Sequence, residues 1–227
     1  MTITYNEIKP WGRSLAEYVK MFNLTADELK LSRILGCGDG PASFNAELSA
    51  MGGRVISVDP IYQFSGLQIN QRIKEIYDDV ISQTEMNKDK FVWKEISSVE
   101  ELGRIRQGAM SKFLDDFEKA PKKDRYVCSE LPFLPFREKE FDLALCSHFL
   151  FLYSDNLSLD FHLGSLKELC RVAKEVRIFP LVDLNAKRSA YIAPSIALLK
   201  SEGIQATEET VPYEFQKGGN TMLRIRR

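Results

Sequence analysis

The sequence predicts an α/β protein: a doubly wound, mostly parallel sheet of about seven strands, closed by a C-terminal antiparallel hairpin. Three observations lead there. Short apolar runs alternate with amphipathic helical stretches along most of the chain, which is how strand–helix–strand units that build a parallel sheet are written. Glycines stand at every second position in Gly36-Cys37-Gly38-Asp39-Gly40, between a β-like run and a helix start. A second apolar run, 55–58, ends in a carboxylate, Asp59. The 227 residues suffice for one sizeable domain of this kind and are too few for two comfortable ones, so 1–227 is read as a single domain.

The elements follow in order. Leu15, Tyr18, Val19 and Phe22 recur at helical spacing and predict a helix over 12–23, within an N-terminal helical cap spanning 1–30. Residues 32–36 read as the first strand. Pro41 suits the first turn of the next helix, where its missing N–H costs nothing. Phe44, Leu48 and Met51 give that helix an apolar face, and Gly52-Gly53 ends it. Residues 54–59 are the second strand, followed by a longer helix marked by Ile73, Ile76 and Val80. The charge-rich stretch 85–122 interrupts the alternation with one short helix (Met110, Phe113, Leu114, Phe117); an insertion of this size reads as a lid or as a surface ornament. Strands then fall at 125–129, at 141–146 (nearly all apolar, as in a strand buried on both faces) and at 175–181. Helices carry Leu159, Leu163, Leu166 and Cys170, and then Ile192, Ile196 and Leu199 up to Gly203. Strands near 205–215 and 221–227, around Lys217-Gly-Gly-Asn220, read as a hairpin with a glycine turn.

Composition excludes several classes. With 44% hydrophobic and 28% charged residues and a net charge of −1, the chain has the make-up of an ordinary globular protein and no general polyanion-binding surface, so nucleic acid is not the expected partner. The basic pieces Lys122-Lys123 and 224–227 are short and read as solvated. No charged start leads into an apolar core at the N-terminus, so no secretory signal is expected. No apolar run approaches the roughly 18 residues of a membrane span. The four cysteines, Cys37, Cys128, Cys146 and Cys170, are widely separated. They read as free thiols in a reducing, cytoplasmic setting rather than as a zinc site or disulfide frame.

The glycine loop carries the chemistry. Glycine reaches φ > 0 and lacks a Cβ, so the loop turns sharply and lets a ligand approach its backbone. A carboxylate about 20 residues on, ending the next strand, is where nucleotide-binding α/β folds hold ribose hydroxyls. These features point to an adenosine-containing cofactor. A nicotinamide loop would need Gly or Ala where Pro41 stands, which disfavours a dehydrogenase.

From residue 30 onward the order of elements, Leu35-Gly-Cys-Gly-Asp-Gly40, Val58-Asp59, Leu134-Pro-Phe136 and Phe141-Asp-Leu143 resemble the class I S-adenosylmethionine-dependent methyltransferases, a Rossmann-like family. The resemblance implies that Gly36, Cys37 and Gly38 line the methionine and ribose of S-adenosylmethionine, with Asp39, Gly40 and Pro60 beside them. It implies that Asp59 accepts from the ribose hydroxyls, that Glu130 and Leu131 meet the adenine, and that Cys146, Ser147 and His148 lie under the methyl group. The chain departs from the family where Ile34 replaces the usual acidic residue two positions before the first glycine. Asp39 is the residue that could take over the cofactor's amino group.

His148 follows a buried strand and reads either as a proton acceptor during methyl transfer or as a histidine packed beside the cofactor; His162 reads as a surface or core-edge residue. Asp155-Asn156 with Asp183 and Asn185 have the oxygen ligands magnesium prefers, but these are also the commonest loop residues, and no metal is expected. Phe149, Phe151 and Tyr153 read as a substrate wall or as core. The expected activity is methyl transfer from S-adenosylmethionine to a small-molecule oxygen, nitrogen or carbon nucleophile. Two alternatives stand beside it: a cofactor-binding or degenerate scaffold on the same fold, kept open by Ile34, and an RNA methyltransferase. The chain has neither the Asn-Pro-Pro-aromatic run of adenine methylation nor the Pro-Cys nucleophile of cytosine C5 methylation.

Overall fold

The computed structural model describes residues 2–226 apart from Thr4, Asn6 and Pro121, with Lys122 and Lys123 described in their backbone only. The basic side chains expected at 122–123 and at 227 therefore lie outside the described residues. Two short helices, α1 (Leu15–Met21) and α2 (Ala26–Leu31), precede the first strand, β1 (Arg33–Cys37). Each begins with a capping box, Ser14 with Glu17 and Thr25 with Glu28, so that side chains pair backbone N–H groups left open by the first helical turn. The chain continues through α3 (Phe44–Ala50), β2 (Arg54–Val58), α4 (Gly66–Met86), α5 (Val99–Lys119), α6 (Lys122–Arg125) and β3 (Tyr126–Val127). It closes with β4 (Phe141–Ser147), α7 (Leu159–Val172), β5 (Ala173–Phe179), α8 (Ile192–Ser201), β6 (Gln205–Thr210) and β7 (Thr221–Arg226).

The seven strands form one sheet in the order β3-β2-β1-β4-β5-β7-β6. The first five are parallel, with β1 between β2 and β4 (Gly36 opposite Ser57 on one side and Leu145 on the other). β7 runs antiparallel between β5 and β6. This is the mixed α/β sheet with a closing hairpin that the sequence predicts. The strand order reverses between β1 and β4, which opens a crevice beyond their carboxyl ends, where open α/β sheets bind ligands.

One apolar layer under the sheet gathers Leu35, Phe141, Ala144, Leu166, Val176 and Leu223, and the opposite layer gathers Ile34, Tyr18, Phe22, Phe44, Leu145 and Met222. A third cluster joins α4 and α5 to β3 through Ile69, Phe113, Phe117 and Tyr126.

The structure departs from the sequence reading in five places. α3 begins at Phe44, not at Pro41, because 41–43 form a tight connection in which the Ser43 N–H donates to the Arg13 carbonyl. Met51 is 71% exposed, since the helix ends one residue before it. The segment 85–122 holds a 21-residue helix rather than a short one; Gly103 and Arg106, both buried, interrupt its apolar stripe and hide its first half from a hydrophobicity pattern. β6 stops at Thr210, and residues 211–220 leave the sheet, with Phe91 and Gln216 forming an isolated bridge. His162 is fully buried, its ring nitrogens 2.8 Å from the carbonyls of Ser158 and Leu150.

Candidate functional site

The loop after β1 turns through two residues in the left-handed region, Gly38 (φ +66°) and Gly40 (φ +51°), a conformation glycine adopts without strain. The Gly38 N–H donates to the Val58 carbonyl at 2.9 Å, which holds the loop against the end of β2. The Gly40 N–H donates to Asp59 Oδ2 at 2.8 Å, and the Ile61 N–H donates to Asp59 Oδ1 at 2.9 Å. Burial pushes the Asp59 carboxyl up to about 6 against the pull of these two donors, with Glu130 adding to the rise. A carboxylate offers about four acceptor positions, so Asp59 keeps lone pairs for a ligand.

Asp39 points the other way. Tyr18 Oη donates to its Oδ1 at 2.7 Å and Ser57 Oγ to its Oδ2 at 2.5 Å; Ser57 in turn accepts from Asn45 Nδ2 at 3.1 Å. Burial again outweighs these bonds and raises the Asp39 carboxyl to about 6. A Cβ on Gly36 would lie 1.9 Å from Asp39 Oδ2. Gly36 is thus the floor on which the Asp39 carboxylate rests. Ile34 is fully buried among Tyr18, Phe44 and Leu48, so no polar group from that position faces a ligand.

Beyond the strand ends lies a cavity of about 790 Å³, within the range of roughly 300–1,000 Å³ typical of small-molecule sites. Cys37, Gly38, Asp39, Gly40, Asp59 and Pro60 line one end, with Glu130, Leu131, Ser147 and His148 along the sheet. Gly36 and Cys146 are absent from the lining. Gly36 is covered by Asp39, and Cys146 is fully buried in the centre of the sheet. Of the three aromatic residues after β4, Phe149 and Tyr153 face the cavity while Phe151 belongs to the core.

The opposite wall comes from segments that carry no motif: Trp11 and Arg13 before α1, Leu102 and Arg106 of α5, and Phe215 of the β6–β7 connection. The N-terminal segment is pinned in place. The Ile3 N–H donates to Asn185 Oδ1, the Lys9 N–H to Tyr153 Oη, and Gly12 lies so close to the Pro41 carbonyl that a Cβ would meet it at 2.0 Å. Arg106, fully buried, binds Glu17 through Nη1 at 2.6 and 2.7 Å, and Tyr213 Oη donates to Glu17 Oε1 at 2.9 Å. Burial would raise the Glu17 carboxyl, but the charges of Arg106 and Arg13 and the bonds from Arg106 and Ser14 bring it down to about 2. Beside this wall only Ser14-x-x-Glu17, a capping box, leaves a sequence signature, and it speaks of a helix start rather than of a site.

His148 directly follows β4 in the left-handed region (φ +51°), its Nδ1 3.0 Å from Ser147 Oγ and its ring edge-on to Phe179. Burial, with the nearby charges of Arg13 and Arg106, drives its pKa well below the ordinary value, so the imidazole is neutral. The two kinds of group link to stability with opposite signs. Asp39 and Asp59 bind protons more tightly in the folded chain, so their contribution is present at low pH and is lost as pH rises from about 4 through about 6. His148 stays neutral in the fold, so its contribution is lost as pH falls below 6.5. Relative to the parent, His148→Gln is expected to melt higher at pH 5 than at pH 7.5, and Asp59→Asn lower at pH 5 than at pH 7.5; thermal denaturation at both values checks the pair.

Among the described residues no group of three His, Cys, Asp or Glu side chains is placed to hold a metal ion. Asp183 Oδ1 instead accepts from the N–H groups of Asn185 and Lys187, and Asn156 Nδ2 donates to the Tyr5 carbonyl. None of the four cysteines is in a disulfide, and Cys128 alone is exposed. No helix among the described residues is long and apolar enough to cross a membrane.

No family model matches the chain. Among solved structures it is similar to the magnesium protoporphyrin IX methyltransferase of Synechocystis PCC 6803 (13% identity, TM-score 0.46, covering 88% of this chain and 72% of that one). It is also similar to a SAM-dependent methyltransferase from Aquifex aeolicus (15%, TM-score 0.42, 92% and 90%) and to the PH0226 protein from Pyrococcus horikoshii OT3 (12%, TM-score 0.47, 93% and 90%). In sequence it is 35% identical over 217 residues to the uncharacterized protein MJ0045 of Methanocaldococcus jannaschii, covering 95% of each chain. With that identity running over nearly the whole of both sequences, the chain belongs to the same protein family as MJ0045.

Proposed function

We propose that the protein transfers a methyl group from S-adenosylmethionine to a small-molecule nucleophile, oxygen, nitrogen or carbon. The observation that carries this reading is Asp59: a carboxylate held by two backbone N–H groups, one of them from the glycine loop, at the end of a walled cavity over the strand-order reversal. The residues present fit the cofactor. A side chain at Gly38 would press on Phe149 at 3.0 Å, so the turn lining the cavity there is glycine against an aromatic ring, and Asp59 retains acceptor capacity for a pair of ribose hydroxyls. Glu130 and Leu131 line the wall where an adenine would lie, Glu130 exposed and Leu131 buried.

When bound, the cofactor supplies a sulfonium-activated methyl group, so the protein's task is chiefly alignment. Asp59 and the glycine loop fix the donor. Trp11, Leu102 and Phe215 close the far wall and exclude water from the reacting groups. His148, neutral and facing the cavity just after β4, offers a ring nitrogen that can accept a hydrogen bond from, and so orient, an acceptor hydroxyl or amine.

Calorimetric titration of S-adenosylmethionine tests the reading. The parent is expected to bind in the micromolar range. Asp59→Ala, losing charge-assisted hydrogen bonds of about 1.5–3 kcal/mol each, should bind at least about a hundredfold more weakly. A parent that does not bind the cofactor would favour a scaffold on the same fold.

A further inference from the structure

The cavity is long, and its two ends differ in chemistry. Its long wall is α4, which lines it from Gln68 to Thr84, a rise of roughly 24 Å at about 1.5 Å per residue. The glycine loop and Asp59 sit at the N-terminal end of that helix. Asp59 caps the turn that leads into it, and Tyr62 Oη of the same turn donates to the Gly40 carbonyl at 2.8 Å. α5 runs back alongside: a Cβ on Gly66 would meet Glu118, whereas one on Gly103 would meet Tyr77 and Ile81. Leu102 therefore belongs to the distal end, level with Val80 and Thr84. Two further segments complete that end. Phe91 follows Thr84 through a tight turn, with the Asn87 N–H on the Thr84 carbonyl at 3.2 Å, and Phe215 stacks on Phe91 with ring centroids 4.9 Å apart. The Gln216 side chain donates to the Asp183 carbonyl at 2.7 Å and so brings Leu184 to the same place.

Val80, Thr84, Phe91, Leu102, Leu184 and Phe215 thus line the distal end. The one hydroxyl among these six is spent inside α4, where Thr84 Oγ1 donates to the Val80 carbonyl at 2.7 Å. The charged lining groups nearest to them are paired within the protein, Arg106 with Glu17 and Lys9 with Glu7 and Asp79. The polar groups that suit the cofactor gather at the other end. Asp59 is held there by the glycine loop, Glu130 is near enough to act on its charge, and the Arg13 carbonyl accepts from the Ser43 N–H just past the loop. A ribose, adenine or amino-acid group of the cofactor would find no ionic partner and no free donor among the six distal side chains. Water fares little better, since it needs roughly two to four polar partners. Hydrocarbon is what such walls reward.

We propose that the methyl acceptor is a neutral molecule with a hydrocarbon body, which fills the distal end between Phe91, Leu102 and Leu184 while its nucleophilic hydroxyl or amine lies by His148. The word acceptor rests on the methyl-transfer reading, whereas the apolar site itself does not. His148 stands between the two ends, because the segment it opens continues to Leu152, whose carbonyl accepts from the Leu184 N–H at 3.1 Å. Asp59 fixes the donor at one end, and the acceptor is held at the other by burial rather than by charge.

The experiment is titration of phenol, para-ethylphenol, para-butylphenol and the butylphenol carrying a carboxylate at the end of its chain into the full protein, with and without saturating S-adenosylhomocysteine. The parent, Leu184→Arg and Phe215→Ala are compared, all checked for folding by circular dichroism; both positions are half-buried. In the parent, affinity should rise about fourfold with each methylene added, and the carboxylated phenol should bind at least about tenfold more weakly than para-butylphenol. Leu184→Arg should bind para-butylphenol no better than phenol, and Phe215→Ala should show a shallower rise than the parent. Should the arginine variant fail to fold, the alanine variant carries the comparison. No binding of the phenols by the parent, affinity independent of chain length, or an equally steep rise in the folded variants overturns the proposal. So does displacement of para-butylphenol by S-adenosylhomocysteine, which would put the chain in the cofactor's own end. Failure of the parent to bind S-adenosylhomocysteine counts against methyl transfer alone, and the titrations without it still report on the apolar site.

Discussion

Glu17→Gln is expected to lower the free energy of unfolding by about 3–5 kcal/mol, the usual result of removing one partner from a buried ion pair. The carboxylate accepts from Arg106 Nη1, Tyr213 Oη, the Ser14 N–H and Ser14 Oγ. Arg106 has no other carboxylate within salt-bridge distance among the described residues, its side chain is 1% exposed, and its Nε is already without a partner. An amide keeps the shape of Glu17 but leaves that charge uncompensated. Against a total stability of about 5–15 kcal/mol for a typical domain, the loss should be visible as a large fall in the urea midpoint. The double substitution Glu17→Gln with Arg106→Met should recover much of it, because the penalty lies in the stranded charge rather than in the missing contact. Since the Glu17 carboxyl titrates at about 2 in the fold and near 4.3 in an unfolded chain, its contribution is present above the higher value and fades as pH falls toward 2.

Gly36→Ala is the second large effect. A methyl group there would sit 1.9 Å from Asp39 Oδ2, 2.5 Å from its Cγ and 2.7 Å from Oδ1. No rotation of a distant tip relieves this, because both carboxylate oxygens are tied, one to Tyr18 and one to Ser57. Asp39 must leave its place and break both bonds, or the loop must lift from the end of β1. Overpacking alone costs typically about 1–3 kcal/mol, and two hydrogen bonds to a buried charge add about 1.5–3 kcal/mol each. Thermal melting is expected to show strong destabilisation, and what folds should have lost S-adenosylmethionine binding because the Gly38–Gly40 turn depends on the same anchor. Gly36→Ala with Asp39→Ala, which removes the obstructing carboxylate, should melt higher than Gly36→Ala alone.

The alternation of strands and helices was legible because the parallel strands are buried on both faces and the covering helices on one, so each element has its own hydrophobic period. The spaced glycines and Asp59 were legible for a different reason: they belong to a local turn, where sequence neighbours are also spatial neighbours. The rest of the cavity has no such locality. Arg13, Arg106 and Tyr213 meet across 93 residues on one side and 107 on the other, and nothing in the spacing of a cation, a second cation and a tyrosine announces that they converge. The first half of α5 was hidden by its own function, because a buried arginine at position 106 reads in a hydropathy pattern as a solvent-facing one. Asp39 was read as a ligand-facing acid for the same reason. Its partners, Tyr18 and Ser57, come from other elements, and only their positions reveal that the carboxylate serves the loop.

The wall of the cavity is shared between Ile3, Lys9, Trp11 and Arg13 near one end of the chain and Phe215 and Gln216 near the other. During synthesis the glycine loop, β2 and Asp59 emerge early, yet the far wall waits for the β6–β7 connection, more than 150 residues later. Chains grow at about 5–20 residues per second, so the nascent protein carries its glycine turn and Asp59 for many seconds before a closed compartment exists around them. A chain stalled before residue 213 would hold Arg106 and Glu17 without Tyr213 and would present an open trough rather than a walled cavity. Closure of the cavity is thus a late event of assembly, waiting on the segment that carries Tyr213 and Phe215.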